Sequence, residues 1–166
     1  MIGLLRAVVT ALVVLPAVAL AEEFPSTAPL FAATLSDTSD KPVALSIYKG
    51  KPLIVNFWAR WCAPCREEIP DLLQTRARHK ASGLEVIGVA IEDNAEPVRE
   101  FAKAYDIDYP VVLAKAQGID LMKVLGNNRA GLPFTVAIDR QGRMVVLKLG
   151  RMKRADIEAA ALAALK

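Results

Sequence analysis

The only two cysteines of this 166-residue chain stand three positions apart, as Cys62 and Cys65. A randomly placed pair would show this spacing only about one time in seventy, so the spacing itself is informative. The pair follows the apolar run from Leu53 to Trp58, which is typical of a buried strand, and it precedes a segment with helical character. The cysteines are therefore predicted to lie at the N-terminus of a helix that begins directly after a strand.

This position favours redox chemistry over a purely structural disulfide. Unpaired backbone N–H groups and the positive end of the helix dipole would stabilise a thiolate at Cys62. We expect Cys62 to be exposed and acidified, and Cys65, about one turn further along, to be more shielded. Such a pair performs thiol–disulfide exchange, because the first thiol attacks a disulfide and the second resolves the mixed disulfide. A structural disulfide is the alternative, but it would close a very small loop and add little stability.

Residues 1–21 have the layout of a secretory signal peptide. Arg6 supplies a positive charge, residues 7–20 are apolar apart from Thr10 and Pro16, and a small-x-small site ends at Ala21. An uncleaved membrane anchor is the alternative. In either case we expect residues 22–166 to lie outside the cytoplasm, in a bacterial periplasm. A lone cysteine pair in that oxidising compartment is either a structural disulfide or a redox centre.

Composition excludes several other classes of protein. An apolar content of 54% rules out a disordered chain, and a net charge of +3 is too small to indicate a nucleic-acid partner. Two cysteines and one histidine are too few for an ordinary four-ligand zinc site. We therefore expect no metal, no cofactor and no nucleic acid, and we expect a monomer.

The rest of the chain alternates strand and helix patterns, which predicts one α/β domain over residues 22–166. The predicted strands are Phe31–Leu35, Pro42–Leu45, Leu53–Trp58, Leu84–Ile91, Pro110–Leu113, Phe134–Ile138 and Met144–Leu149. The predicted helices are Pro64–His79, Ala95–Tyr105, Ile119–Leu125 and Arg154–Leu165. This order predicts a mostly parallel sheet with an antiparallel hairpin near its end.

The stretch from Gly50 to Cys65, GKPLIVNFWARWCAPC, resembles a thioredoxin-fold protein. More narrowly, the chain resembles the exported TlpA/ResA-type thiol–disulfide oxidoreductases, which include cytochrome c maturation reductants. The resemblance covers nearly all of residues 29–166. It implies a thioredoxin-like fold, with a mixed central sheet flanked by helices. It also implies an N-terminal hairpin before Gly50 and a helix–strand insertion within residues 92–110.

The same resemblance assigns the segment Gly131–Thr135 to the family's cis-proline loop. Pro133 is then expected to be cis and to lie against the cysteine pair. Its backbone neighbours would offer strand-like hydrogen bonds to a substrate peptide. The residues expected to contact substrate are Trp61, Ala63, Pro64 and Leu132.

Asn56 occupies the position where cytoplasmic thioredoxins carry a buried aspartate that helps to move protons. A neutral amide cannot act as that acid or base. Glu68 lies three residues after Cys65 on the same predicted helix, so the two side chains can face each other. We expect Glu68 to be a partly buried carboxyl with a raised pKa that accepts the thiol proton. Glu67 beside it is interpreted as a solvated surface charge.

Together these features predict a periplasmic reductant of protein disulfides that uses the Cys62–Cys65 dithiol. Expected substrates are the cysteine pairs of an apocytochrome c or of metallochaperone and oxidase-assembly proteins, and the expected electron donor is a membrane thiol carrier. An oxidase of the same fold and a non-catalytic Cu(I)-binding module are the alternatives, since soft thiolates suit Cu(I). A peroxidase is less favoured, because Ala59 stands where peroxiredoxins carry a threonine.

Overall fold

The structure, a computed structural model, describes residues 24–166, so the predicted signal segment lies outside the described residues. Seven strands form one sheet: β1 (Thr34–Asp37), β2 (Pro42–Ala44), β3 (Leu53–Trp58), β4 (Glu85–Ala90), β5 (Val111–Leu113), β6 (Phe134–Ile138) and β7 (Met144–Leu149). Five α-helices accompany it: α1 (Ala28–Ala32), α2 (Ala63–His79), α3 (Ala95–Ala104), α4 (Gly118–Val124) and α5 (Arg154–Ala164). Within residues 24–166, none of the helices has the length and apolar character needed to cross a bilayer.

The strand order is β2-β1-β5-β4-β3-β6-β7. Only the β3–β4 and β4–β5 pairs are parallel, and the remaining four pairs are antiparallel. The prediction of a mostly parallel sheet is therefore wrong, whereas the mixed sheet implied by the thioredoxin resemblance is confirmed. The sequence pattern missed the difference because strand direction depends on which neighbours pair, and apolar runs do not encode that choice.

The N-terminal hairpin begins later than predicted. Phe31 lies in α1 rather than in a strand, and β1 starts at Thr34. Pro29 stands in the first turn of α1, where its missing N–H costs little. Leu30 and Phe31 are buried against the core, so the apolar run that predicts a strand belongs to a short helix.

The expected insertion supplies α3 within residues 92–110, but its strand, β5, begins only at Val111. β5 extends the sheet beside β4, and β1 pairs with its outer edge, so the N-terminal hairpin is attached through the insertion. Phe101 of α3 packs on Trp58 with ring centroids 5.2 Å apart. The buried Arg76 of α2 donates to Asp108 at 3.0 Å, which fastens the end of the insertion to the helix that carries the cysteines.

Side chains alternate between the two faces of the central strand β3. Val55 and Phe57 pack into the cluster that contains Met122 of α4, whereas Ile54 packs with Leu72 of α2. Asn56 shares the face of Ile54, so it projects toward α2. Helices α2 and α5 thus cover the sheet face on which the candidate site lies.

Gly88 of β4 stands directly opposite Asn56 on this face. A Cβ atom at Gly88 would lie 2.8 Å from Nε1 of Trp58 and 3.1 Å from Cε2 of Tyr109. The absent side chain therefore provides the space in which the Trp58 ring packs behind the cysteine pair.

Candidate active site

The cysteine pair lies where the sequence predicts it, between the end of β3 and the first turn of α2. Cys62 is the N-cap residue of α2, and its Sγ accepts a hydrogen bond from the backbone N–H of Cys65 at 3.3 Å. The two cysteines form a disulfide, with their Cα atoms 5.3 Å apart. A thiolate at Cys62 would gain the same donor and the positive end of the helix dipole.

Cys62 is less exposed than the sequence predicts. Only 5% of its surface is accessible in the disulfide form, and Cys65 is completely buried. Both pack into a cluster with Trp58 and Ala59, and the half-buried Leu132 covers this cluster from the side. The order of exposure is as expected, but tertiary packing leaves only a small part of Cys62 open to a partner.

The cis-proline loop reaches the cluster of the cysteine pair through Leu132, which packs against it. The Leu132–Pro133 peptide bond is cis. β6 begins at Phe134, which pairs with Phe57, so Pro133 lies beside the end of β3 where the chain turns to Cys62. The carbonyl of Pro133 accepts the N–H of Gly150 at 2.8 Å, which joins this loop to the segment after β7.

The residues predicted to contact substrate differ in their exposure to solvent. Trp61 is 69% exposed, the most exposed of the large apolar side chains in residues 24–166. Ala63 and Pro64 are also exposed at the start of α2, while Leu132 is half-buried. The structure thus brings the motif and the cis-proline loop together on one surface.

Glu68 is buried beneath this surface, with only 1% of its area accessible. Its carboxylate accepts the side-chain amide of Asn56 at 3.2 Å and the backbone N–H of Met152. The same Asn56 amide also donates to the hydroxyl of Thr135 at 2.9 Å. Asn56 therefore links Glu68 on α2 to β6, the strand that follows Pro133.

The pKa of Glu68 is raised from its ordinary 4.5 to about 7, and burial is the main cause. The hydrogen bonds from Met152 and Asn56 and the charges of Arg151 and Lys148 act in the opposite direction, because they stabilise the carboxylate. A carboxyl with a pKa near neutrality can both accept and return a proton at physiological pH. Glu68 is thus more deeply buried than the partly buried carboxyl that the sequence predicts, and its role as proton acceptor stays a prediction.

Ion pairs fasten the segments around the cysteines. Glu92, just after β4, accepts both the backbone N–H of Arg60 at 2.6 Å and its side-chain Nε at 2.7 Å. Glu67 is exposed, as expected of a surface charge, and pairs with Arg151 at 2.9 Å. Within residues 24–166, no group of three or more His, Cys, Asp or Glu side chains is arranged to hold a metal ion.

Some of these contacts have no sequence signal. Met152 reaches Glu68 through its backbone N–H from 84 residues away, so its side-chain identity carries no information about the contact. Thr135 becomes a partner of Asn56 only because β6 lies antiparallel to β3 with these two residues opposite each other. The sequence singles out Asn56 as a neutral replacement but does not reveal that it holds Glu68.

Comparison with known proteins agrees with this geometry. The sequence profile of the Redoxin family matches residues 22–164. The chain belongs to the Redoxin family. It is also 35% identical to the thiol-disulfide oxidoreductase ResA of Bacillus subtilis over 133 residues, which are 80% of this chain and 70% of ResA. The ResA protein of Bacillus cereus is 32% identical over 132 residues, or 79% of this chain and 72% of that protein.

A solved structure supports the same fold. A thiol:disulfide interchange protein of the thioredoxin family from Chlorobium tepidum superposes with a TM-score of 0.72 and 29% identity, over 88% of this chain and 99% of that one. The Redoxin-family chain therefore has the thioredoxin-like fold. With its Cys62–Cys65 disulfide it is a ResA-like thiol–disulfide oxidoreductase.

Proposed function

We propose that this oxidoreductase works outside the cytoplasm as a reductant of protein disulfides. The observation that carries this proposal is the buried Glu68 carboxyl on the helix of the cysteine pair. A negative charge near the thiols disfavours a thiolate, which raises the thiol pKa. A less stabilised thiolate makes the reduced form less favoured, and the dithiol is then more reducing. Ala63 and Pro64 between the cysteines also lack the histidine that stabilises the thiolate in strongly oxidising relatives.

In the proposed reaction, the Cys62 thiolate attacks one sulfur of a substrate disulfide. A Cys62–substrate disulfide forms, and the other substrate sulfur leaves as a thiolate. Cys65 then loses its proton to Glu68, attacks Sγ of Cys62 and releases the second substrate sulfur as a thiolate. Two electrons pass to the substrate, and the protein keeps the Cys62–Cys65 disulfide. An external dithiol restores the reduced protein by the reverse exchange.

Pro133 and Leu132 are proposed to orient the substrate during this attack. The cis-proline loop borders the cysteine cluster, and Trp61, Ala63 and Pro64 are exposed beside it. A substrate segment that lies between the loop and the start of α2 would bring its disulfide to the accessible part of Cys62. The partly buried Leu132 and the broad Trp61 ring would supply apolar contact with that segment.

The proposed location rests on residues 1–21, which we interpret as a signal peptide that leaves residues 22–166 as the mature domain. Proposed substrates are the cysteine pair of an apocytochrome c or those of metallochaperone and oxidase-assembly proteins. A membrane thiol carrier is the proposed electron donor, because the periplasm does not maintain a reducing thiol pool.

The reduction potential of the Cys62–Cys65 couple tests the proposal. Equilibration with a dithiol redox buffer should give a value near that of thioredoxin, about −270 mV, rather than near the about −120 mV of a strong oxidant. A value close to the latter would favour the oxidase alternative. Catalytic amounts of the protein should also accelerate reduction of insulin by dithiothreitol. Failure to do so, combined with tight Cu(I) binding, would favour the metallochaperone alternative.

A further inference from the structure

Arg60, two residues before Cys62, is held by hydrogen bonds at three of its groups. Its backbone N–H and its side-chain Nε donate to the two carboxylate oxygens of Glu92, at 2.6 and 2.7 Å. Its carbonyl accepts Nη1 of Arg66, near the start of α2, at a longer 3.4 Å. We call this set of contacts the Arg60 clamp. It joins the turn before the cysteines both to the segment after β4 and to α2.

The clamp follows from the register of the two central strands. β3 and β4 are parallel, and Trp58 at the end of β3 lies opposite Ala90 at the end of β4. Two residues further along each segment, Arg60 comes to stand opposite Glu92. The side chain of Glu92 is only 10% exposed, so its contacts with Arg60 are largely shielded from water. Hydrogen bonds to an ionised carboxylate are about twice as strong as those between neutral groups.

The clamp fixes the backbone on one side of Trp61, and a turn fixes it on the other side. The peptide group between Arg60 and Trp61 is the one whose carbonyl accepts Arg66. The peptide group between Trp61 and Cys62 donates its N–H to the carbonyl of Ala59 at 3.1 Å. Both peptide planes that flank Trp61 are therefore anchored, and this restricts the direction in which its side chain leaves the backbone.

The Trp61 ring itself gains little support from the rest of the protein. It is 69% exposed, and within residues 24–166 it stacks on no other aromatic ring. Trp58, by contrast, is 1% exposed and packs on Phe101. A large apolar ring that projects into solvent from a fixed backbone is pre-organised for contact with another molecule, because less conformational freedom is lost on binding.

We propose that Glu92 is a positioning residue for polypeptide substrates: through Arg60 it holds Trp61 where the ring contacts the chain that carries the disulfide. This inference rests on the proposed function, which assigns Trp61 to substrate contact. Exchange between the sulfurs does not itself require that contact. Loss of the clamp should therefore impair the reaction with a polypeptide disulfide and spare the reaction with a disulfide too small to reach the Trp61 ring.

Two disulfides of different size test the proposal. The reduced protein is mixed with insulin, whose disulfides lie in a polypeptide, or with hydroxyethyl disulfide, which is only a few atoms long. Alkylation of the remaining thiols and mass spectrometry give the second-order rate for each. Glu92→Ala should lower the insulin rate about fivefold, the cost of ordering a side chain that is no longer held, and change the other rate less than about twofold. A changed thiol reactivity cancels from the ratio of the two rates.

Asp93→Ala is the matched control. Asp93 is the next residue, is exposed and forms no ion pair within residues 24–166, so its replacement removes the same charge and should keep the ratio of the parent. Glu92→Gln keeps a carbonyl oxygen for the Arg60 N–H but loses the ion pair, so its ratio should lie between those of Glu92→Ala and the parent. Circular dichroism verifies that each variant is folded.

A double-mutant cycle separates this role from a merely structural one. Trp61→Ala should itself lower the ratio of the insulin rate to the hydroxyethyl disulfide rate. Adding Glu92→Ala to Trp61→Ala should lower the ratio no further, because the two residues act through one contact with the substrate. A structural effect of Glu92 on the cysteine turn would instead persist without the ring.

An unchanged ratio in Glu92→Ala would overturn the inference and leave the proposed function intact. The same holds if Trp61→Ala keeps the ratio of the parent, or if Glu92→Ala lowers it further in the Trp61→Ala background. Should Glu92→Ala not fold, Glu92→Gln decides, and a ratio equal to that of the parent overturns the inference. If the fully reduced parent reduces neither disulfide, the proposed function fails as well.

Discussion

Asn56 of β3 donates its side-chain amide to the carboxylate of Glu68 on α2 across 3.2 Å, in a buried part of the site. The amide stabilises the ionised form of Glu68, while burial disfavours that form and is the stronger effect. A group that cannot titrate thus lowers the proton affinity of Glu68, against the larger effect of burial. The predictions below test this pair and the thiols near it.

Replacing Asn56 by aspartate should raise the pH at which the acid limb of the reaction rate is half-maximal by more than about one pH unit. Two carboxyls that share a buried site cannot both ionise without repulsion, so the pair retains a proton to higher pH. The measurement is the rate of disulfide exchange from about pH 5 to about pH 9. Thr135→Val is the control, since it removes the other Asn56 contact and keeps the Glu68 hydrogen bond. An unmoved midpoint in Asn56→Asp would mean that Glu68 does not control the profile.

Glu68→Gln should lower the pKa of at least one active-site thiol and slow disulfide exchange while the fold stays intact. The substitution removes both a nearby negative charge and the proposed proton acceptor for Cys65. Alkylation rates of the reduced protein across a pH series give the thiol pKa values. Glu67→Gln, one position earlier and exposed, is the matched control and should behave as the parent. Superimposable curves for Glu68→Gln and the parent would show that Glu68 takes no part in the exchange.

Stability should fall as the pH rises from about 4.5 to about 7, because of Glu68. In this window the folded state binds a proton that the unfolded chain has released, so raising the pH favours unfolding. Between about pH 5.5 and about pH 8 the free energy of unfolding should drop by about 2 kcal/mol relative to Glu68→Gln. Urea unfolding of both oxidised proteins at the two pH values measures this difference. A constant difference between them would contradict a raised pKa in the folded state.

Cys65→Ser should accumulate a mixed disulfide with substrate, whereas Cys62→Ser should not. Cys62 retains an accessible surface and its Sγ accepts the backbone N–H of Cys65, while Cys65 is completely buried and is expected to resolve the intermediate. Non-reducing electrophoresis and mass spectrometry after incubation with a disulfide-bearing protein detect the adduct. The reverse pattern of trapping would exchange the roles of the two cysteines.

The mature protein from its native host should begin at Glu22. The apolar stretch before Ala21 is interrupted by Pro16 and ends in small residues, as a signal peptidase requires. Intact mass of the protein isolated from the host distinguishes the outcomes. A mass that includes residues 1–21 would support the uncleaved membrane anchor instead.

The sequence alone determined the reacting groups and their local setting. An apolar run, a cysteine pair spaced for one helical turn and an acid three residues later fix Cys62, Cys65 and Glu68 on one strand–helix unit. These relations are local in the chain, and helical geometry is enough to place such residues near each other. The rest of the fold, including the cis Pro133 and the insertion, was implied by the resemblance of the cysteine motif to thioredoxin-fold proteins.

Only the tertiary structure decided how this unit is enclosed. The partners of Glu68 come from β3 and from the backbone of Met152, and tertiary packing produces the burial that raises its pKa to about 7. The same packing reduces the accessible surface of Cys62 to 5%, although its position at a helix N-terminus predicts exposure. Strand direction, long-range hydrogen bonds and burial all depend on which distant segments meet, and no periodicity within a single segment contains that information.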